Sequence, residues 1–534
     1  MNRKILVLPA VAGLLTPVLA ACGGSDSGSK AQDPIVVGTT DRFTATSDAP
    51  APLDPAYAYD VGTWNILRQT VQTLMTQPKG DGDPVPEAAE SCSFTDSGNE
   101  RYVCKLRDGL VFADGDKVTA ADVKFSIERA IHINADSGVS TLLNTIDTVE
   151  TQGDREVIFH LKTADATFPF KLSTPVAGII DPKQYAADKL RDGFQMDGSG
   201  PYTFKADVRN NAVVSATFTK NPKYKGSVTV DNDQVVMRSY ADADAMGRAI
   251  DKGDIDVMTR TMSPSQIQKL DNGSDENVDL VDMPGLEIRY LAFNTNADTV
   301  KSKAVREAMA QVIDRGELVA KVYGTQAEPL YSLVPASVTG HSNSFFNKYG
   351  DPSPAKAKQF LTKAGITTPV KLTLHYTTDH YGSATKQEFQ VLQKQLNNSG
   401  LFDVGIEGHP WATFRPAEQK GKYDVYGMGW FPDFADADNF LAPFLDKGNF
   451  LGSPYNNGEI QHTLIPQSRR EADRINAGGS LTTIQDIVAD DVPVIPLWQG
   501  KQFIAARDNI TGVAYALNSS STLQLWELSR GVSE

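Results

Sequence analysis

A chain of 534 residues, 40% hydrophobic and 22% charged, has the make-up of an ordinary globular protein and is too long for one core; at about 150 residues per domain it holds roughly three structural units. Its 51 Lys and Arg against 66 Asp and Glu leave a formal charge of -15, and no basic run forms a footprint for phosphates, which excludes nucleic acid as a partner.

Arg3 and Lys4 precede an apolar run over residues 5–21, the pattern of a secretory signal and short of a comfortable membrane span. The run ends in Leu19-Ala20-Ala21-Cys22, followed at once by GGSDSGSKAQD. This resembles the lipobox of bacterial lipoproteins, in which cleavage makes the cysteine the new N-terminus and the carrier of the lipid; the other reading is an ordinary signal with an incidental cysteine. Loss of residues 1–21 removes two positive charges, leaving 49 basic against 66 acidic residues, or -17. Residues 22–33 then read as a flexible tether.

Next in the chain, residues 34–38 (PIVVG) predict a buried strand, and residues 62–77 a helix with Leu67, Val71 and Leu74 on one face. Cys92 and Cys104 flank SFTDSGNERYV, whose centre at Ser97, Gly98 and Asn99 signals a turn; counting outward from Gly98 sets the cysteines opposite each other on a hairpin. A disulfide there suits an exported chain, two separate buried thiols being the alternative, and two cysteines are too few for a cysteine metal site. Thr119 stands as N-cap of a helix through Ala130, with Val123 and Ile127 toward a core. Hairpins are predicted over 147–161 and 201–220, turning at Gly153-Asp154 and Asn210-Asn211.

The following third is more regularly βα. Strands are predicted over 288–294, 370–376 and 404–407, and helices over 303–315, from Ser353-Pro354 to Gly365, and over 384–396. The stretch GWFPDFADADNF, residues 429–440, has no period of 2 or 3.6 and carries a proline, so it reads as a loop.

Motifs for catalysis are missing: no HExxH, no GxSxG, no P-loop and no GxGxxG after a strand. His375 and His380, five apart with only Asp379 near, read as structural or solvent-facing rather than metal ligands. The acidic clusters at 242–245 and 436–439 lack the glycine and distant glutamate of a calcium loop, and read as solvated turn or helix-start residues. No metal and no cofactor is expected.

The segment KLRDGLVFADGDKVTAADVKFSIERA, 105–130, resembles the signature region of the family 5 solute-binding proteins of ABC importers, the dipeptide and oligopeptide receptors. Further segments agree in order: LDP at 53–55, GSGPYTF at 198–204, NPKYKG at 221–226, GDIDV at 253–257, YLAFNT at 290–295, YDVYGMGW at 423–430 and DDVPVIPLW at 490–498. The resemblance implies an α/β, two-lobed periplasmic-binding-protein-like fold with a hinge and an inserted subdomain. Lobe I would comprise 34–62, 192–287 and 497–534, the inserted subdomain 63–191, and lobe II 288–496, with hinge strands near Glu287 and Leu497.

It also implies a function: a lipid-anchored, monomeric receptor at the outer face of the cell membrane, not an enzyme, that captures a peptide and delivers it to an ABC permease. Asp433, three residues after the Gly429-Trp430 pair, matches the aspartate that holds the ligand's α-ammonium, and Trp430 and Trp411 match pocket-lining tryptophans; Gly429, Phe431, Trp498, Thr40 and Asp41 complete the implied ligand-binding set. By its residues alone each tryptophan is either pocket wall or core, and Asp433 either anchor or turn cap. The arginines that meet a peptide carboxylate in oligopeptide receptors have no counterpart in register: Glu418 and Gly427 stand there, with Arg415, Lys420 and Lys422 nearby but displaced. Alternatives are the same role for a nickel chelate, haem or an oligosaccharide, a secreted peptide hydrolase, and an exported sensor.

Overall fold

The computed structural model describes residues 33–47, 49–80, 82–260, 262–273 and 277–531. The apolar run, Cys22 and the tether lie outside the described residues. Among the described residues no helix is long and apolar enough to cross a membrane.

Three sheets organise the chain. Ile35–Thr39 runs parallel to both Gln234–Ser239 and Val257–Thr259 at the centre of a seven-stranded sheet; on one side follow Ala212–Lys220 and Tyr202–Arg209, on the other Gln502–Arg507 and Val278–Met283. A four-stranded antiparallel sheet carries Ala89–Phe94, Arg101–Leu106, Glu156–Leu161 and Ile146–Gln152. The third, six-stranded, runs in the order Ala327–Pro329, Val494–Gly500, Ile288–Phe293, Val425–Trp430, Val370–Thr377 and Phe402–His409. Each sheet has its own apolar core, and the largest, drawn from residues 286–498, surrounds the six-stranded sheet.

Local signals account for most elements. Cys92 and Cys104 face each other across the Ala89–Phe94 and Arg101–Leu106 hairpin and are joined by a disulfide, with Asn99 supplying the left-handed turn residue at φ 55°. The backbone N–H and Oγ1 of Thr119 both donate to Asp122 Oδ2, at 2.7 and 2.8 Å, and so open the helix Ala120–Ile133. Asn210 and Asn211, at φ 51° and 57°, form the two-residue turn between Tyr202–Arg209 and Ala212–Lys220.

Two predicted helices are shorter than their pattern. The first ends at Thr70 rather than 77, because the Thr70 carbonyl is taken by the Gly200 N–H at 2.8 Å and Val71 turns extended. The helix predicted over 303–315 is two, Lys303–Val312 and Arg315–Val322; Asp314 leaves the first and accepts from the Glu317 N–H at 2.8 Å to cap the second.

The LDP motif and the signature helix meet in the interior. Arg129 donates through Nη1 and Nη2 to Asp54 Oδ1 and Oδ2, at 2.8 and 2.7 Å, with both side chains all but sealed from solvent. Asp54 also accepts from the Ala56 and Arg191 N–H groups, so its two oxygens are fully employed.

The chain passes from the seven-stranded to the six-stranded sheet through residues 284–287 and returns at Lys501. The two crossings run side by side: the Gly500 N–H donates to the Glu287 carbonyl at 2.9 Å, and a Cβ added at Gly285 would lie 2.2 Å from the Gly500 carbonyl oxygen. Gly285→Ala is therefore expected to cost about 1–3 kcal/mol, the usual toll of overpacking against backbone that cannot yield. A fall in the urea midpoint checks it.

Candidate functional site

The strand Val425–Trp430 lies beside Ile288–Phe293, placing Gly429 opposite Arg289 and Trp430 opposite Ile288. Past Trp430 the chain leaves the sheet, and the helix Asp438–Leu445 begins. Of the loop predicted over 429–440, residues 431–437 lie between them, while Gly429 and Trp430 end the strand and residues 438–440 start the helix; the side chains of the whole stretch divide among several environments.

Asn439, in the first turn of that helix, holds the loop together. Its Oδ1 accepts from the Asp433 N–H at 2.8 Å and from Trp430 Nε1 at 3.3 Å, while its Nδ2 donates to Asp433 Oδ2 at 2.9 Å. The same carboxylate oxygen accepts from the Tyr59 hydroxyl at 3.2 Å, a residue 374 positions away that precedes the helix Val61–Thr70. Asp433 is 7% exposed. Burial pushes its pKa up to about 6, against the pull of the Asn439 and Tyr59 hydrogen bonds and the Arg68 charge. Among the described residues no cation contacts it directly, which leaves a desolvated acid held mainly by neutral donors.

Phe434, next in line, is stacked on Phe170 with centroids 5.5 Å apart and belongs to the core of the four-stranded sheet. The remaining acids are not solvated, contrary to that part of their reading, although Asp438 does start a helix: Asp436 is paired with Arg474 and Asp438 with Arg469, and both acids are buried. Paired to arginine, they anchor the loop rather than face solvent. Asp242 in the other acidic cluster does cap a helix, accepting from the Ala245 N–H at 2.7 Å.

The second group gathers around Arg289, a charged residue in a strand whose six positions are all buried. Its guanidinium is paired with Glu287 and lies 4.3 Å from the Tyr381 ring, 5.0 Å from Trp498 and 5.6 Å from Phe431. Burial works against that charge, but Glu287, Tyr323, Tyr381 and Glu388 outweigh it and hold its pKa above the ordinary value. A Cβ at Gly429 would fall 2.0 Å from Arg289 Nη1, so the glycine makes the space the guanidinium fills. Arg260 lies near the same ring, 5.2 Å from its centroid, and is bound through Nε to Asp41 Oδ1 at 3.0 Å. Phe431 thus has two arginines close by, Arg289 from the strand Ile288–Phe293 and Arg260 directly after the strand Val257–Thr259.

Trp411 opens the helix Trp411–Gln419, with its N–H donating to Asp379 Oδ1 at 2.7 Å. Its ring is stacked on His380 at 3.9 Å and 4°, and Tyr381 is 5.8 Å away, which ties it to the arginine group. Burial, with Arg289 and Arg260 nearby, depresses the His380 pKa to about 4, so this imidazole stays neutral at physiological pH. Trp430 lies in the six-stranded core against Phe444 and Phe450. Thr40 is half-buried and joins neither group. Arg415 is engaged by Glu418 and by the Phe450 carbonyl.

Sequence reasoning missed Arg260, Arg289, Tyr59 and Asn439. For Arg289 a signal existed, a lone cation in the apolar run IRYLAF. The separation of Tyr59 from Asp433 left none.

The sequence model of the bacterial extracellular solute-binding proteins, family 5, matches residues 83–452. The chain is 26% identical over 479 residues to the probable D,D-dipeptide-binding periplasmic protein of Escherichia coli strain K12, covering 87% of this chain and 90% of that one. It is 25% identical over 534 residues to heme-binding protein A of Haemophilus influenzae, covering 93% and 94%. Among solved structures, the dipeptide binding protein of Pseudoalteromonas sp. SM9913 in complex with Met-Leu superposes with a TM-score of 0.79 at 20% identity, over 93% of this chain and all of that one.

Proposed function

This chain belongs to the bacterial extracellular solute-binding proteins of family 5, and on that premise we propose that it captures short peptides between two lobes and delivers them to an ABC permease. Members of the family bind substrates and are not enzymes, and the fold is the two-lobed α/β fold of periplasmic binding proteins. In this reading lobe I is built from 34–62, 192–287 and 501–534, with 63–191 inserted, and lobe II from 288–500; the boundary expected near Leu497 moves to Lys501 because the strand Val494–Gly500 stays in the six-stranded sheet. The two adjacent crossings at 284–287 and Lys501 support a hinge there, since closure needs only a few residues to change backbone angles. The lipobox-like Leu19-Ala20-Ala21-Cys22 supports a lipid on Cys22 that holds the receptor, as a monomer, at the outer face of the cell membrane.

The single observation carrying the peptide reading is the opposition of charges in the loop after Gly429. Asp433 is a buried carboxylate that no cation among the described residues contacts directly, and Arg260 and Arg289 both lie near Phe431 two residues earlier. A ligand α-ammonium would replace the Tyr59 hydroxyl as donor to Asp433, and a ligand carboxylate would meet guanidinium N–H groups that Asp41 and Glu287 leave over. Trp411, Trp498 and Phe431 offer flat apolar area that accepts varied side chains.

Titration calorimetry with a tripeptide, its N-acetylated form and its amide tests this reading. Each capped form is expected to bind more weakly than the parent peptide; equal affinity for all three would refute it. The pH dependence follows from the same acid. An ammonium pairs with the carboxylate and not with the carboxylic acid, so below pH about 6 a proton competes with the ligand. Affinity is expected to be highest near pH 7, to fall about tenfold per unit on going below 6 until the carboxyl of the complex itself titrates, and to fall again above pH about 8, where the free peptide's α-ammonium loses its proton.

A further inference from the structure

The strands Val370–Thr377 and Phe402–His409 lie parallel at the edge of the six-stranded sheet, with His375 in register with Glu407 and Thr377 with His409. Side chains alternate along a strand, so His375, Glu407 and His409 emerge on one face. There His375 Nδ1 and His409 Nε2 face each other at 3.1 Å. The Glu407 carboxylate straddles them, Oε2 at 3.9 Å from the first nitrogen and Oε1 at 3.8 Å from the second.

We infer that these three side chains form a binding site for a divalent transition ion of the zinc type, apart from the loop after Gly429. Two imidazole nitrogens bound at about 2.0–2.1 Å to a tetrahedral ion stand about 3.3–3.4 Å apart, so the pair needs to open by only a few tenths of an ångström. The carboxylate must close by about half an ångström to take its own place, and Glu407, 60% exposed, is free to swing. Imidazole with carboxylate suits zinc, nickel or copper(II), whereas calcium and magnesium take oxygen donors.

The rings are held in place beforehand. Tyr423 stacks on His375 at 4.3 Å and on His409 at 5.1 Å, with Phe414 behind Tyr423 at 5.3 Å. His375 also lines a surface depression with Thr299, Lys371, Thr373, Asp403, Lys422 and Asp424, open to water for the fourth position. The two lysines and two aspartates there offset each other in charge, leaving Glu407 to supply the neutralising anion.

By sequence alone His375 is weighed only with His380, five residues on, and both read as structural or solvent-facing; the fold sends His380 to Trp411 and brings His409, 34 positions on, to His375. A hydrogen-bonded pair of neutral imidazoles is the competing account of the 3.1 Å contact, and it predicts no metal affinity.

Zinc titration of the full, untagged chain, followed by calorimetry and by the visible spectrum of the cobalt(II) form, separates the two. One ion per chain is expected, with the intense visible bands of tetrahedral cobalt. His409→Ala and His375→Ala should each weaken zinc by more than about a hundredfold, beyond the 10–100-fold typical of losing an outer-shell partner. Glu407→Gln, at an exposed position that leaves the stacked rings intact, should weaken it about tenfold with an unchanged circular dichroism spectrum. Absence of zinc binding, or binding that survives both His409→Ala and Glu407→Gln undiminished, overturns the site.

Discussion

Asp433→Asn is expected to weaken a tripeptide with a free α-amino group by about thirtyfold or more, while leaving an N-acetylated peptide unaffected. Truncating one partner of a desolvated, hydrogen-bonded charge pair costs about 2–5 kcal/mol, and 1.4 kcal/mol is a factor of ten. The substitution keeps the side chain's size, and its carbonyl oxygen can still accept from Asn439 Nδ2 or the Tyr59 hydroxyl. What it removes is the charge. Burial lifts this carboxyl from its ordinary 3.8 to about 6, so the folded protein binds the proton more tightly than the unfolded chain. The resulting loss of stability is absent below the unfolded pKa, grows as pH rises between the two values and is complete above about 6. The asparagine variant should accordingly be as stable as the parent at pH 7.5, or more so, even as it loses ligand. That pairing of results distinguishes a ligand anchor from a turn cap, whose removal would lower the melting temperature. Equal peptide affinity in variant and parent would remove Asp433 from the site.

Arg129→Met is expected to destabilise the folded chain by about 3–5 kcal/mol. Methionine matches the length of the arginine stem, so packing is largely kept and the effect isolates the charge. Asp54 would then be left fully buried with two backbone N–H donors and no counter-ion. The guanidinium also donates to the Ala186 and Lys189 carbonyls, which would lose their partner. Denaturation in urea measures the loss. Combining the change with Asp54→Asn should recover part of it, because the orphaned charge disappears with the second substitution; a strictly additive pair would mean that Arg129 and Asp54 do not act as a unit.

These experiments touch two of the places where residues distant in the chain meet, and the contrast with the locally determined elements is instructive. The disulfide hairpin was legible because a turn at 97–99 and a period of two determine which residues face each other. The Thr119 cap and the Asn210-Asn211 turn were legible for the same reason: donor and acceptor lie within a few residues. Where a helix end depended on a distant group, as Thr70 depends on Gly200, the pattern overran.

By itself the sequence determined most of the kinds and order of the elements, and the family, since these are written in local periodicity and in motifs met in sequence order. Only the tertiary structure decided what each side chain of that loop does. Asp433 is joined to Tyr59 across 374 positions, Gly429 makes room for Arg289 on the neighbouring strand, Phe434 leaves for another core, and Asp436 and Asp438 are neutralised by arginines 38 and 31 residues on. Whether a carboxylate keeps a cation or waits for one depends on which backbone is folded against it, and a charge's chain neighbours carry no record of that.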